Sequence, residues 1–225
     1  MNRRNMDLMI LAVVALLLVI GVLMVFSASF VKAEQERLDR YYFLKRQAAF
    51  AMIGVAAMFA VAQVQYWHWR RLAVPALYIT LALLVLVTIP SIGTLVSGAR
   101  RWLGYGAFSF QPSELAKVTL LIFWAAYFAV RQEQVRKFWP ILPVFGGVLG
   151  LVFALVMRQP DLGTAVAIAG TSLTMLFVAG ARLGPMIMLG MASLPALAYL
   201  IFSEEYRARR IFAFLWPERD PLGAG

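Results

Sequence analysis

The chain has 225 residues, 62% of them apolar and only 14% charged, with a mean hydropathy of +0.78. Soluble domains run at about 45–50% apolar and about 25% charged, so one globular core of this size leaves almost no room for a soluble enzyme and none for a disordered chain. The 21 Lys and Arg against 11 Asp and Glu leave a net charge of +10, and no cysteine is present for a disulfide, a thiol nucleophile or a thiolate metal site. Because the cations sit between long apolar runs, an anionic lipid or its headgroup fits them better than nucleic acid.

Runs of about 20 uncharged apolar residues are long enough to cross a bilayer as helices. Seven are predicted: 8–30, 47–64, 72–90, 112–130, 138–157, 162–181 and 183–203. The first follows Arg3 and Arg4. Its apolar stretch exceeds the about 7–15 residues of a signal-peptide core, and Ser27-Ala28-Ser29 is a poor cleavage site, so a retained helix is expected. The fourth carries Glu114 and Lys117 in its opening turns, and Arg182 alone separates the sixth from the seventh. No linker or low-complexity tract divides the chain, which reads as one all-α polytopic membrane domain over 1–225. Residues 204–225 then begin a large external loop.

Parity sorts the connections without reference to orientation. The amino-terminal side holds eight cations, from Arg3 to Arg182, against two acids, a net +6; the opposite side holds 13 cations and nine acids, a net +4. Counted as Lys and Arg alone, the positive-inside rule does not place the amino terminus in the cytoplasm. Tyr66-Trp67-His68-Trp69-Arg70-Arg71, however, looks like an aromatic belt beside a basic cytoplasmic anchor. On that feature the amino terminus is expected inside, with His68 an interfacial anchor. An anionic substrate outside would then account for the 13 external cations.

Two external helix starts stand out. Gln111-Pro112-Ser113-Glu114 opens the fourth span, with Pro112 suited to a first turn and Glu114 favoured there by the helix dipole. Glu114 and Lys117 are spaced i,i+3 and can pair. They serve either as a cap with a snorkelling lysine or as an oriented cation that meets a phosphate at the membrane edge. Gln159-Pro160-Asp161 opens the sixth span 48 residues later, on the same side as the basic tail Arg207, Arg209 and Arg210. Asp161 is either a plain helix cap or part of the same cleft.

These segments resemble the SEDS family (shape, elongation, division, sporulation), which includes FtsW, RodA and SpoVE. Gly98–Trp102 followed by Phe110-Gln111-Pro112-Ser113-Glu114-Leu115-Ala116-Lys117 is similar to one family motif, and Gln159-Pro160-Asp161-Leu162-Gly163-Thr164 to a second. Tyr206-Arg207-x-x-Arg210, Phe214-Leu215-x-Pro217 and Asp220-Pro221-x-Gly223-x-Gly225 resemble a third, with Trp216 standing where a polar residue is usual. Tyr41–Gln47 and Phe177–Arg182 look more like the division and sporulation branch (FtsW, SpoVE) than the elongation branch (RodA).

The resemblance implies a ten-helix fold, of which seven helices are represented here. It also implies a peptidoglycan glycosyltransferase that polymerises lipid II outside the bacterial cytoplasmic membrane, coupled to a class B penicillin-binding protein. No nucleic-acid partner is implied. Such chemistry needs a carboxylate base for the attacking sugar hydroxyl and cations, a divalent metal ion or both for the departing pyrophosphate. The resemblance implies that the family's essential aspartate lies beyond Gly225, in a Thr-Asp-Phe-like motif, so no catalytic residue is assigned here and 1–225 reads as the front of a longer enzyme. The substrate-binding expectation falls on Arg100, Arg101, Trp102, Glu114, Lys117, Asp161, Arg207 and Arg210. A flippase for a lipid-linked precursor and a non-catalytic scaffold are the alternatives.

Overall fold

The computed structural model describes residues 8–37, 39–96, 98–104 and 109–215. Nine α-helices and one two-stranded antiparallel hairpin occur among them: α1 (Leu8–Arg37), α2 (Tyr42–Gln63), α3 (Tyr66–Leu86), β1 (Gly93–Val96), β2 (Ala99–Leu103), α4 (Pro112–Ala129), α5 (Gln132–Lys137), α6 (Leu142–Met157), α7 (Leu162–Val178), α8 (Leu183–Phe202) and α9 (Glu205–Leu215). The protein is all-α and multi-pass. Four helices, over Leu8–Ser29, Tyr42–Gln63, Tyr66–Leu86 and Leu183–Phe202, are long and apolar enough to cross a membrane; α6 and α7 are shorter apolar helices.

Every predicted span contains a helix, but several boundaries move. α1 runs on to Arg37 and α2 starts at Tyr42 rather than at 47. α3 takes in the whole Tyr66–Arg71 stretch and ends at Leu86, before Pro90. A charge ends a hydrophobic run, not a backbone ladder: Lys and Arg can lie along the helix and carry their heads to the interface. A proline disfavours helical geometry in the residue before it, yet Pro75 and Pro195 are carried inside α3 and α8. α6 starts only at Leu142, after a turn at Phe138 with φ +66. The tail read as external loop contains α9, whose Arg209 and Glu205 pair at 2.7 Å along its exposed surface.

The chain forms two compact units, 1–66 and 67–225. In the first, α1 and α2 pack on each other through a short connection, where the Phe26 and Tyr41 rings stack with centroids 5.7 Å apart. Asp39 accepts from the Tyr41 amide and from Lys45 Nζ, both at 2.9 Å. The Lys45 bond, then the amide, hold its carboxyl below the usual range. None of the described apolar side chains of this unit is fully buried and many are exposed, as in a lipid-facing helix pair.

The second unit has the core. Trp124, Phe128, Phe145, Val152, Ile168 and Leu176, from α4, α6 and α7, are buried together. Trp124 stacks on Phe128 at 5.3 Å and lies 4.9 Å from Phe145. Lipid tails are as apolar as leucine, so such helices are held by van der Waals packing and a few interhelical hydrogen bonds. Two of these are buried: Trp124 Nε1 donates to Ser172 Oγ at 3.1 Å, and the Thr80 and Thr119 hydroxyls meet at 3.0 Å.

Candidate functional site

The hairpin is an element that apolar periodicity does not reveal. Val96 pairs with Ala99, and Gly98 sits in the turn at φ +79, a conformation that only glycine adopts without penalty. Gly93 is required for another reason: a Cβ there would fall 2.0 Å from the Val87 carbonyl oxygen. Arg100 Nη1 donates to the carbonyls of Pro90 (2.7 Å) and Gly93 (3.0 Å), which ties the hairpin to the end of α3. Trp102, opposite Thr94 in the ladder, is half-buried.

Arg101 reaches 58 residues along the chain. Its Nε donates to the Gln159 carbonyl at 2.8 Å, one terminal nitrogen donates to the Pro160 carbonyl, and the other lies 3.9 Å from Asp161 Oδ2. Asp161 is the N-cap of α7: it accepts from the Thr164 amide at 3.2 Å and from the Thr164 hydroxyl at 2.9 Å. The same carboxylate accepts from Gln111 Nε2 at 3.0 Å. The two Gln-Pro helix starts therefore meet in space, joined by Gln111, Asp161 and Arg101. Gln159 is fully buried, with Nε2 directed to the Leu84 carbonyl at 3.4 Å.

Lys117 lies one turn into α4. Its Nζ is 2.7 Å from Glu114 Oε2, and both side chains remain partly open, 35% and 56% exposed. Below them α4 and α7 leave a groove too narrow to admit a water molecule, lined by Lys117, Leu121, Trp124, Thr171 and Met175. Arg207 stands apart: its Nη1 donates to the Leu200 carbonyl at 2.7 Å and so caps the end of α8. The Arg210 side chain lies outside the described residues, as do residues 216–225 with the remaining tail motif.

The expected cations thus divide by what their donors do. Arg100, Arg101 and Arg207 hold backbone carbonyls, whereas Lys117 is held by the Glu114 carboxylate. Gln111 and Gln159 are central to the cluster, although sequence reading treats them only as motif letters. The signal that could have found them is their repetition, each before a proline that opens a helix. Among the described residues, no three His, Asp or Glu side chains gather closely enough to hold a metal ion.

Asp161→Ala removes the α7 cap and leaves Gln111 and Arg101 without their shared acceptor. It is expected to destabilise the protein by about 0.5–2 kcal/mol from the cap alone. Asp161→Asn, which still caps, should retain most of that. Thermal unfolding in detergent checks the order; an Ala variant as stable as wild type would show that the cap contributes nothing.

Residues 7–225 match the FtsW/RodA/SpoVE family, described as a cell cycle protein family. The chain belongs to this family. Stage V sporulation protein E of Bacillus subtilis (strain 168) is 43% identical over all of this chain and 61% of its own length. A probable peptidoglycan glycosyltransferase FtsW of Trichlorobacter lovleyi is 41% identical over 97% of this chain and 58% of its own. Both belong to the FtsW and SpoVE side of the family. Among solved structures, a chain from work on the coordination of polymerization and crosslinking by a peptidoglycan synthase complex superposes with a TM-score of 0.63. It is 29% identical and matches 91% of this chain and 60% of that one. The rod shape determining protein RodA of Thermus thermophilus gives 0.61 at 28% identity, over 82% and 58%. The chain spans about three-fifths of the length of these family members.

Proposed function

We propose that the protein is a peptidoglycan glycosyltransferase that polymerises lipid II at the outer face of the bacterial cytoplasmic membrane, in division or sporulation. The observation that carries this reading is the Glu114–Lys117 pair, an oriented and partly open ammonium near the start of α4. The names of the relatives support it. A departing lipid pyrophosphate needs a preorganised positive charge, and Lys117 can supply one. A charge outside the bilayer core avoids the penalty of roughly 2.5–3.5 kcal/mol for an ion at mid-membrane.

In this reading Lys117 meets the pyrophosphate, Glu114 orients it, and Trp102 packs on the sugar or the lipid. Arg207 and Arg210 add positive charge along the external tail. A divalent cation bound with the substrate would neutralise the same phosphates. The attacking hydroxyl needs a carboxylate base; by family resemblance this is an aspartate in a Thr-Asp-Phe-like motif, which residues 1–225 do not contain. The seven apolar helices are taken as crossings of one membrane domain, with the amino terminus in the cytoplasm and α9 starting an external loop. Exposed Tyr66 and Trp67 at the start of α3 fit a membrane interface there, and the adjacent Arg70 and Arg71 support its being the cytoplasmic one. A class B penicillin-binding protein is the proposed partner, supported by the likeness to a chain of a synthase complex.

Purified full-length protein supplied with lipid II in detergent or liposomes is expected to yield glycan strands, resolved by gel and mass spectrometry. Lipid II that crosses the bilayer without polymer forming would replace this reading with the flippase. Neither polymer nor crossing, with retained binding of the penicillin-binding protein, would replace it with the scaffold.

A further inference from the structure

The loop before α4 and the turn before α7 are tied by polar side chains that lie outside the apolar core. Arg101 is about one-quarter exposed and Asp161 about one-eighth. They lie at the outer end of the α4–α7 contact, and the Trp124–Ser172 bond crosses the same contact deeper in the bilayer. Gln111 and Trp124 are 13 residues apart, about 20 Å along a helix at 1.5 Å per residue. Lys117 lies between these two tethers. Within a lipid-surrounded helix pair, van der Waals packing such as that around Trp124 brings the helices together, and interhelical polar ties at a second, separated point narrow their axial and rotational setting.

We propose that Arg101, with Gln111 and Asp161, is a positioning device that sets the start of α4 against the start of α7 and thereby holds Lys117 in register for the substrate phosphate. The role of Lys117 rests on the function proposed above; the tie between the helices does not. The guanidinium suits this task because its planar fork serves two successive carbonyls and a carboxylate together, which a lysine ammonium on a flexible stem does not reproduce. Arg101 acts through Lys117. Its three groups are turned to the α6–α7 turn, so its loss changes how often the reactive geometry is reached more than how tightly lipid II binds.

The test uses the full-length protein with nitroxide labels at Leu115→Cys and Val166→Cys, two exposed positions on α4 and α7. Residues 1–225 contain no competing cysteine. Arg101→Met should broaden the inter-label distance distribution. It should also lower lipid II turnover at saturation by roughly 10–100-fold, the scale of a small misplacement of reacting groups, with KM within about twofold. Arg101→Lys should recover part of both. If Arg101→Met does not fold, Gln111→Leu removes the same tie from the α4 side. An unchanged distance distribution overturns the proposal, and so does a loss of activity carried by KM. If the unsubstituted protein makes no polymer, the functional reading fails while the label distances still decide the tie.

Discussion

Lys117→Met is expected to lower lipid II polymerisation by roughly 10²–10³-fold, the range found when one preorganised charge-stabilising donor is removed from a reacting centre. Lys117 lies one turn into α4, paired with Glu114 at 2.7 Å and partly exposed beside the narrow α4–α7 groove. Methionine preserves the length and apolar stem of the side chain, so the groove wall stays and only the charge goes. Glu114→Gln should be milder, about tenfold, because the ammonium remains and loses only its orienting partner. The double variant should be no worse than Lys117→Met, since the carboxylate acts through the lysine. Polymer yield from purified protein measures all three. Full activity of Lys117→Met would return the pair to a helix-start ion pair with a snorkelling lysine.

Trp124→Ala is expected to be the most destabilising single substitution in the α4–α6–α7 core, at about 3–5 kcal/mol. Trp124 is fully buried, contacts the rings of Phe123, Phe128 and Phe145, and donates its indole N–H to Ser172. Alanine opens a cavity among rings that cannot collapse into it, and leaves the buried Ser172 hydroxyl without its donor. Trp124→Phe keeps most of the packing and should cost about 0.6–1.7 kcal/mol, the range for an interhelical hydrogen bond in a membrane. Thermal unfolding in detergent should rank wild type, Phe and Ala in that order. An Ala variant that melts with wild type would place the stabilising contacts elsewhere.

Much of this was legible from residue order. Uncharged apolar runs located a helix in each of the seven predicted spans, because hydrocarbon admits only backbone whose hydrogen bonds are made within the segment. Helix ends were harder to read. Tyr66–Arg71 looked like a connection and is the beginning of α3, since amphipathic side chains let a helix continue past the apolar boundary. The hairpin, α5 and α9 escaped because short polar elements leave no apolar run. Pro112 and Asp161 advertised two helix starts, and the i,i+3 spacing of Glu114 and Lys117 announced their pairing.

Composition and spacing by themselves therefore determined a multi-pass helical protein, its two Gln-Pro helix starts and the Glu114–Lys117 pair, because each follows from interactions within a few residues of chain. Only the tertiary structure decided what the arginines do. Arg101 and Asp161 are 60 residues apart in sequence, and no local rule shows that a loop guanidinium closes on the Gln159 and Pro160 carbonyls while Gln111 meets the Asp161 carboxylate. That follows from α4 packing against α7, a long-range choice made by the aromatic core around Trp124. It turns arginines that sequence assigned to an anionic substrate into ties that hold backbone carbonyls.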